Sequence, residues 1–177
     1  GGHTTRSVET RRAHADPRGR SLPEPHGATW VAESQRQGRG RLGRAWVSPR
    51  GENLLFSVLL RVTCAPPRVP PLALVAGLAV RDAVARALGD DGAALVKWPN
   101  DVVLRDAGDP ARLRKVAGIL VESQIAGGRV EAVVVGVGVN VHTRDLPAEI
   151  AETATSLALA GAKDLDHGRL PHLSRPR

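Results

Sequence analysis

The stretch Gln35-Arg36-Gln37-Gly38-Arg39-Gly40-Arg41-Leu42-Gly43-Arg44-Ala45-Trp46 sets guanidiniums, glycines and an indole side by side. Bidentate donors suit phosphate, and glycines let a backbone open and close, so such a loop could fold over a phosphate-bearing intermediate. Gly38, Gly40 and Gly43 also satisfy the G-x-G-x-x-G dinucleotide pattern. That pattern needs a helix directly after its third glycine. Here the chain continues Arg44-Ala45-Trp46-Val47-Ser48-Pro49-Arg50-Gly51 and enters a strand, so no helix dipole would face a pyrophosphate. A protein-kinase glycine loop needs a lysine on the following strand, and 53–62 contains none. Three readings stay open: the phosphate loop, a solvated basic loop, and a nucleic-acid arm built from Arg36, Arg39, Arg41, Arg44 and Arg50 and held by counterion release.

Three further segments carry chemistry-bearing residues: Lys97-Trp98-Pro99-Asn100-Asp101, then Lys115-Val116-Ala117-Gly118-Ile119-Leu120-Val121-Glu122, then Gly136-Val137-Gly138-Val139-Asn140-Val141. Lysine is rare here, occurring only at 97, 115 and 163 among 25 basic residues, which makes those positions informative. Pro-Asn-Asp also reads as a turn held by side-chain hydrogen bonds, and glycines inside strands mark bulges or close approach. No Ser/His/Asp or Cys/His arrangement is evident, and Cys64, set among prolines, has no activating partner in sequence. Trp98 and the six histidines show no metal-ligand spacing and are read as structural or exposed, so no fixed transition metal is expected.

These residues need a scaffold. With 177 residues, 42% of them hydrophobic, the chain suits one domain. A net charge of +7 would attract polyanions without saying which. A single cysteine excludes an internal disulfide and fits a reducing, cytoplasmic setting, and no apolar run reaches the roughly 20 residues needed to span a bilayer. Gly1 to His26 is Arg-, Pro- and His-rich and reads as loop or partial disorder. Strands are expected over 28–33, 53–62, 95–98, 102–104, 116–125 and 130–141, with a long Gly/Arg/Pro loop between the first two and a polar loop over 107–112. Gly127-Gly128 is a two-residue hairpin signal. Leu72 to Leu88 reads as an amphipathic helix with Leu72, Val75, Ala79 and Ala83 on its buried face. Hairpins plus a helix on one face imply an α+β fold with a mixed, largely antiparallel sheet backed by helices.

In order and type, the arginine–glycine stretch with its tryptophan, the K-W-P-N-D turn, the K-V-A-G-I-L-V-E and G-V-G-V-N-V runs and the Ala154-Thr155-Ser156-Leu157 segment closely resemble the catalytic domain of biotin-protein ligases. The resemblance covers about Ala28 to Leu157. It implies a fold related to the class II aminoacyl-tRNA synthetase core and two-step chemistry: biotin and ATP, with Mg²⁺, give biotinyl-5′-AMP, and a lysine of a biotin carboxyl carrier protein or carboxylase carrier domain then displaces AMP. By the same resemblance Lys115, Arg39 and Asp101 are the catalytic set. Gln35, Arg39, Gly40, Arg41, Lys115, Gly118 and Thr5 contact biotin. Arg41, Arg44, Trp46, Asn100, Gly138 and Asn140 contact ATP, with Gly136 bringing its strand against the adenylate.

The family's Ser-Thr-Asn segment is replaced here by His3-Thr4-Thr5-Arg6, which makes Thr5 the candidate surviving contact. The implied organisation is a divergent N-terminal segment over 1–26, a catalytic domain over 27–160, and a divergent tail over 161–177 in place of the family's C-terminal barrel. A ligase-only form is expected, without specific DNA binding or membrane association, and homodimerisation is open. An impaired ligase remnant, a lipoate ligase and a basic nucleic-acid-binding module are the alternatives.

Overall fold

The computed structural model describes residues 5–7, 24–43, 45–163 and 165. In chain order these form β1 (Thr5–Ser7), β2 (Thr29–Ala32), β3 (Gln35–Arg39), β4 (Ala45–Ser48), β5 (Asn53–Cys64), α1 (Pro71–Leu88), β6 (Ala94–Lys97), β7 (Asp101–Arg105), β8 (Leu113–Ala126) and β9 (Arg129–Asn140), with short 3-10 turns at Arg41–Gly43 and Pro66–Arg68. Seven strands make one sheet in the order β1-β2-β5-β9-β8-β7-β6, and β3 pairs with β4 in a separate two-stranded ribbon. Every pair in the large sheet is antiparallel except β1 with β2. The mixed, largely antiparallel α+β architecture expected from the hairpin pattern is therefore present, with one α-helix among the described residues.

Two expectations about strands change. The Arg/Gly stretch forms strands β3 and β4 instead of a loop, because the backbone pairs with itself: Gln35 faces Ser48, Gly38 faces Trp46 and Arg39 faces Ala45. Cross-strand pairing overrides the low strand preference of glycine. Near the N-terminus Thr5–Ser7 is likewise a strand, aligned parallel to Thr29–Val31. The remaining expectations for 1–26 and 161–177 fall largely on residues outside the described ones.

The helix begins at a proline, which has no N–H to leave unsatisfied, and ends at Gly89, whose φ of 69° and N–H bonds to Ala85 and Arg86 carbonyls close the last turn. Its buried face is not the expected one. Gly77, Val80, Val84 and Ala85 are buried and Ala73 and Ala76 pack beside them, whereas Val75 is 62% exposed and Ala79 is exposed too. Leu72 of the expected face does pack against the core, and the rest of the inward stripe runs through Gly77, Val80 and Val84, one position along from Ala79 and Ala83; a methyl on Gly77 would stand 3.4 Å from Val96, so the helix axis lies close to the sheet there.

Strands β8 and β9 are joined through Gly127 and Gly128, with φ of 55° and 75°, the left-handed pair that such a hairpin requires. Alternation along these strands then divides the sheet. Ala117, Ile119, Val133, Val135, Val137 and Val139 face α1 and form the main core with Val80, Val84 and Leu104. On the other face Ala132 and Val134 join Leu59, Ala28 and Trp30 in a small second core, and beyond them the side chains shrink to Gly136 and Gly138.

Candidate active site

Gly118 of β8 and Gly138 of β9 are register partners, and together they make a floor without side chains. The Trp46 indole lies on it. A methyl group on Gly138 would sit 2.8 Å from Trp46 Cε2 and Cζ2, and one on Gly118 would sit 3.2 Å from Cζ3, so the indole needs glycine at both places. Trp46 Nε1 is buried without a hydrogen-bond partner among the described residues.

Lys115 reaches the same place by an irregularity. In a regular strand Lys115 and Gly118, three residues apart, would point to opposite faces. Opposite β7, however, Ala117 pairs with Val102 and Lys115 with Val103, leaving Val116 as an extra residue. This bulge turns Val116 and Ala117 both into the core, each fully buried, and re-aims the lysine toward the glycine floor. Its ammonium lies within 3.0 Å of where a Gly118 Cβ would be. The backbone of Lys115 is held from the other side by Thr153 and Thr155, through bonds of 2.8 Å each, with Ala154 as parallel bridge partner.

Asp101 opens β7 directly opposite Gly118. Its Oδ1 stands 2.7 Å from Lys115 Nζ, and the same ammonium is 5.5 Å from the Trp46 ring centroid. A cation is thus held between a carboxylate and an aromatic face, with Lys115 still about one-third exposed. The adjacent Asn100 is fixed on Ile119, donating from Nδ2 to its carbonyl at 2.8 Å and accepting its N–H at 2.9 Å. Arg41, from the 3-10 turn between the ribbon strands, approaches Asn100 Oδ1 at 3.5 Å. Arg39 lies 3.8 Å from Glu122 of β8.

Lys115, Asp101, Trp46, Gly118 and Gly138 are therefore brought into one cluster, with Asn100 and Arg41 at its edge. Gln35 is placed inside the ribbon, against Gly38. Gly40 links β3 to the turn. Gly136 continues the floor beside Ser57 and Leu120. Asn140 sits at the end of β9, its amide donating to the Thr155 carbonyl at 3.0 Å and its own carbonyl accepting from Leu157. Thr5 enters by its backbone in β1, the edge strand three places from β9, apart from the lysine cluster. Arg44 lies outside the described residues. Trp98 is 77% exposed and roofs a cleft of about 490 Å³ bordered by Arg41, Val69, Asn100, Ile119 and Val121, on the helix side of β8 and away from the glycine floor.

Reasoning from the sequence missed two features. Glu122, the carboxylate that meets Arg39, was visible only as the last letter of a motif. A buried polar group of Ser48, Asn53, Thr143 and Ser156 left no signal as a group: Ser156 stood in a motif, and the other three alone read as strand-end or turn residues. Elsewhere, Asp106 beyond β7 has its carboxyl held below the usual carboxylate range, chiefly by the Gly108 N–H and with Arg114 beside it; it is separate from the cluster. No described helix is long and apolar enough to cross a membrane.

Residues 7–140 match the model of the biotin/lipoate A/B protein ligase family. A biotin–[acetyl-CoA-carboxylase] ligase of Paracoccus denitrificans is 44% identical over 119 residues, covering 67% of this chain and 46% of the relative. A bifunctional ligase/repressor of Bacillus subtilis is 35% identical over 152 residues, covering 84% of this chain and 44% of the relative, so the chain spans about half the length of the relatives it matches. Among solved structures, a biotin protein ligase from Aquifex aeolicus in complex with biotin and ATP superposes with a TM-score of 0.61 at 33% identity, covering 81% of this chain and 56% of that one. The Leishmania major biotin protein ligase in complex with biotinyl-5-AMP gives 0.60 at 30% identity, covering 78% and 57%. With the family model spanning most of the chain and the same α+β fold in solved ligases, this chain belongs to the biotin/lipoate A/B protein ligase family.

Proposed function

We propose that this chain activates biotin with ATP to biotinyl-5′-AMP and transfers the biotinyl group to a lysine of a carboxylase carrier domain. The observation that carries the reading is the Lys115 ammonium, 2.7 Å from Asp101 and 5.5 Å from the Trp46 ring centre, above a floor of Gly118 and Gly138. In the first step a biotin carboxylate oxygen attacks the α-phosphorus and pyrophosphate departs. Negative charge gathers on the α-phosphoryl oxygens, where a preplaced ammonium and nearby guanidiniums stabilise it without reorganising. Lys115 supplies the ammonium, and Asp101 and the indole face hold it in line. Arg39 at the end of β3 and Arg41 at the start of the turn supply the guanidiniums. In the second step the carrier's amine attacks the mixed anhydride's acyl carbon and AMP leaves, so no enzyme nucleophile is needed.

The remaining roles follow the family resemblance. Gln35, Gly40 and Gly118 are assigned to biotin together with Lys115, and Thr5 to its far end. Trp46, Asn100, Gly138 and Asn140 are assigned to the nucleotide, with Arg44 on its phosphates. Mg²⁺ would come with the triphosphate. Among the described residues no three His, Cys, Asp or Glu side chains gather as a metal cage, and Asp101 already pairs with Lys115.

The deciding experiment is biotin-dependent exchange of labelled pyrophosphate into ATP, with biotin omitted as control. The expected result is exchange by the chain and a loss of at least about 100-fold in Lys115→Ala with its fold intact, since an electrostatic stabiliser of the transition state is removed. Exchange at the parent rate in Lys115→Ala refutes the assignment of that residue. No exchange by the folded parent chain refutes the ligase reading.

A further inference from the structure

Four buried polar side chains lie where the base of the ribbon meets the end of β9 and take no direct part in the chemistry. Ser48 is 3% exposed, Asn53 7%, Thr143 8% and Ser156 0%. Asn53 is their hub. Its Nδ2 donates to Ser48 Oγ at 3.0 Å, while its Oδ1 accepts the Val141 N–H at 2.9 Å and stands 3.0 Å from the Thr143 hydroxyl. That hydroxyl has one proton and a second acceptor, Glu52 Oε2, at 2.9 Å. Ser156 Oγ donates to the Thr143 carbonyl at 2.6 Å and accepts the Leu159 N–H at 3.1 Å, so the chain of bonds ends in the segment that pairs with Lys115.

The two sides of the Asn53 amide belong to different bodies. Ser48 closes β4 two residues after Trp46 and faces Gln35 in register. Val141 follows Asn140 at the end of β9, and Asn53 itself is the register partner of Asn140. One amide therefore ties the base of the ribbon that carries Gln35 and Trp46 to the end of the strand that carries Gly138 and Asn140. A buried amide that has lost one partner keeps its full desolvation cost, which makes this link specific as well as stabilising. We infer that Asn53 is a positioning residue, which sets through Ser48 where the ribbon holds Trp46 above the Gly118–Gly138 floor. For its kinetic consequence this rests on the ligase reading.

Two substitutions separate positioning from mere support. Ser48→Ala removes the ribbon side of the link and leaves the Val141 and Thr143 bonds. Thr143→Val removes one far-side bond and leaves those of Val141 and Ser48. In the full chain, Ser48→Ala is expected to raise the KM for ATP in pyrophosphate exchange about five- to tenfold while kcat stays within about twofold, as fits the loss of one buried hydrogen bond. Trp46 fluorescence, read without ligand in a Trp30→Phe, Trp98→Phe background, should shift to the red and become more accessible to acrylamide in Ser48→Ala. Thr143→Val should lower the melting temperature yet leave KM and the Trp46 emission as they were. Ser48→Thr, which keeps the hydroxyl, should restore both readouts. The inference is overturned if Ser48→Ala lowers the melting temperature without moving KM or emission, if Thr143→Val moves them equally, or if Ser48→Thr fails to restore them. Because emission is read on the ligand-free protein, absence of exchange in the parent chain would remove the ligase reading while the emission series still decides the positioning role.

Discussion

The two faces of the β8–β9 hairpin are built from the same strands and do opposite things. Toward α1, Ile119, Val133, Val135, Val137 and Val139 are large and between 0% and 7% exposed. Away from α1, at the same level of the strands, Gly118, Gly136 and Gly138 carry no side chain, and the indole of a two-stranded ribbon lies over Gly118 and Gly138. One face gains stability by filling space, each buried aliphatic contributing about 1.5–3 kcal/mol. The other gives that up so that something can lie flat against the backbone. On the proposed function, stability and reactivity are divided between the sides of one sheet, and substitutions on the two sides should separate them.

The largest effect is expected on the helix side. Ile119→Ala empties a position that is 1% exposed and should cost about 2–5 kcal/mol in chemical denaturation, with the rate of exchange per folded molecule little changed. The division would fail if this variant lost activity without losing stability. The converse is Gly138→Ala on the floor. Its methyl would stand 2.8 Å from two atoms of Trp46, which must therefore shift. Misplacement by about 1 Å can lower a rate about 100-fold, so exchange should fall by that order while the denaturation midpoint hardly moves.

How much of this division is written in the sequence depends on which regularity carries it. Apolar alternation and Gly127-Gly128 were enough to read β8 and β9 as a hairpin, and Leu72 to Leu88 as a helix, because these are local signals with fixed periods. The helix face was misread by one position, with Ala79 and Ala83 read inward where Val80 and Val84 are buried, because an apolar run offers more than one stripe of helical period and Val75, 62% exposed, fits the outward one. The lysine's side was not legible at all: a period of two puts Lys115 opposite Gly118, and only the bulge at Val116 brings them together. Lys115, Asp101 and Trp46 could be singled out by residue type and motif order, whereas the Ser48–Asn53 link could not, because a buried hydrogen bond between strand ends has no pattern along the chain.

A smaller effect is expected where the floor meets its charges. Asp101→Asn keeps the side chain's size but removes the charge 2.7 Å from Lys115 Nζ. The ammonium then loses the carboxylate that holds it in line, and exchange should drop about tenfold, within the range that one charge-assisted hydrogen bond supplies. Stability should change by less than about 1 kcal/mol, as the pair is partly exposed on both sides. A large loss of stability here would mean that the lysine–aspartate pair belongs with the core and not with the floor.

The smallest effect is the most pointed test of the division. Glu122 lies on β8 beyond Gly118, and its Oε1 is 3.8 Å from Arg39 Nη2, with the two side chains 35% and 58% exposed. An ion pair that long and that exposed contributes at most about 1 kcal/mol to folding and is weakened further by salt. If its purpose were stability, Glu122→Gln would be nearly silent in every assay. If instead the carboxylate holds the Arg39 guanidinium near the floor until a phosphate arrives, Glu122→Gln should leave the denaturation midpoint alone and change the KM for ATP by about two- to fivefold, an effect that fades in high salt as the parent's own pair is screened. Exchange measured at two ionic strengths distinguishes the cases: a KM ratio near one at low salt assigns Glu122 to the surface, and a ratio that collapses toward one only at high salt assigns it to the ribbon's hold on Arg39.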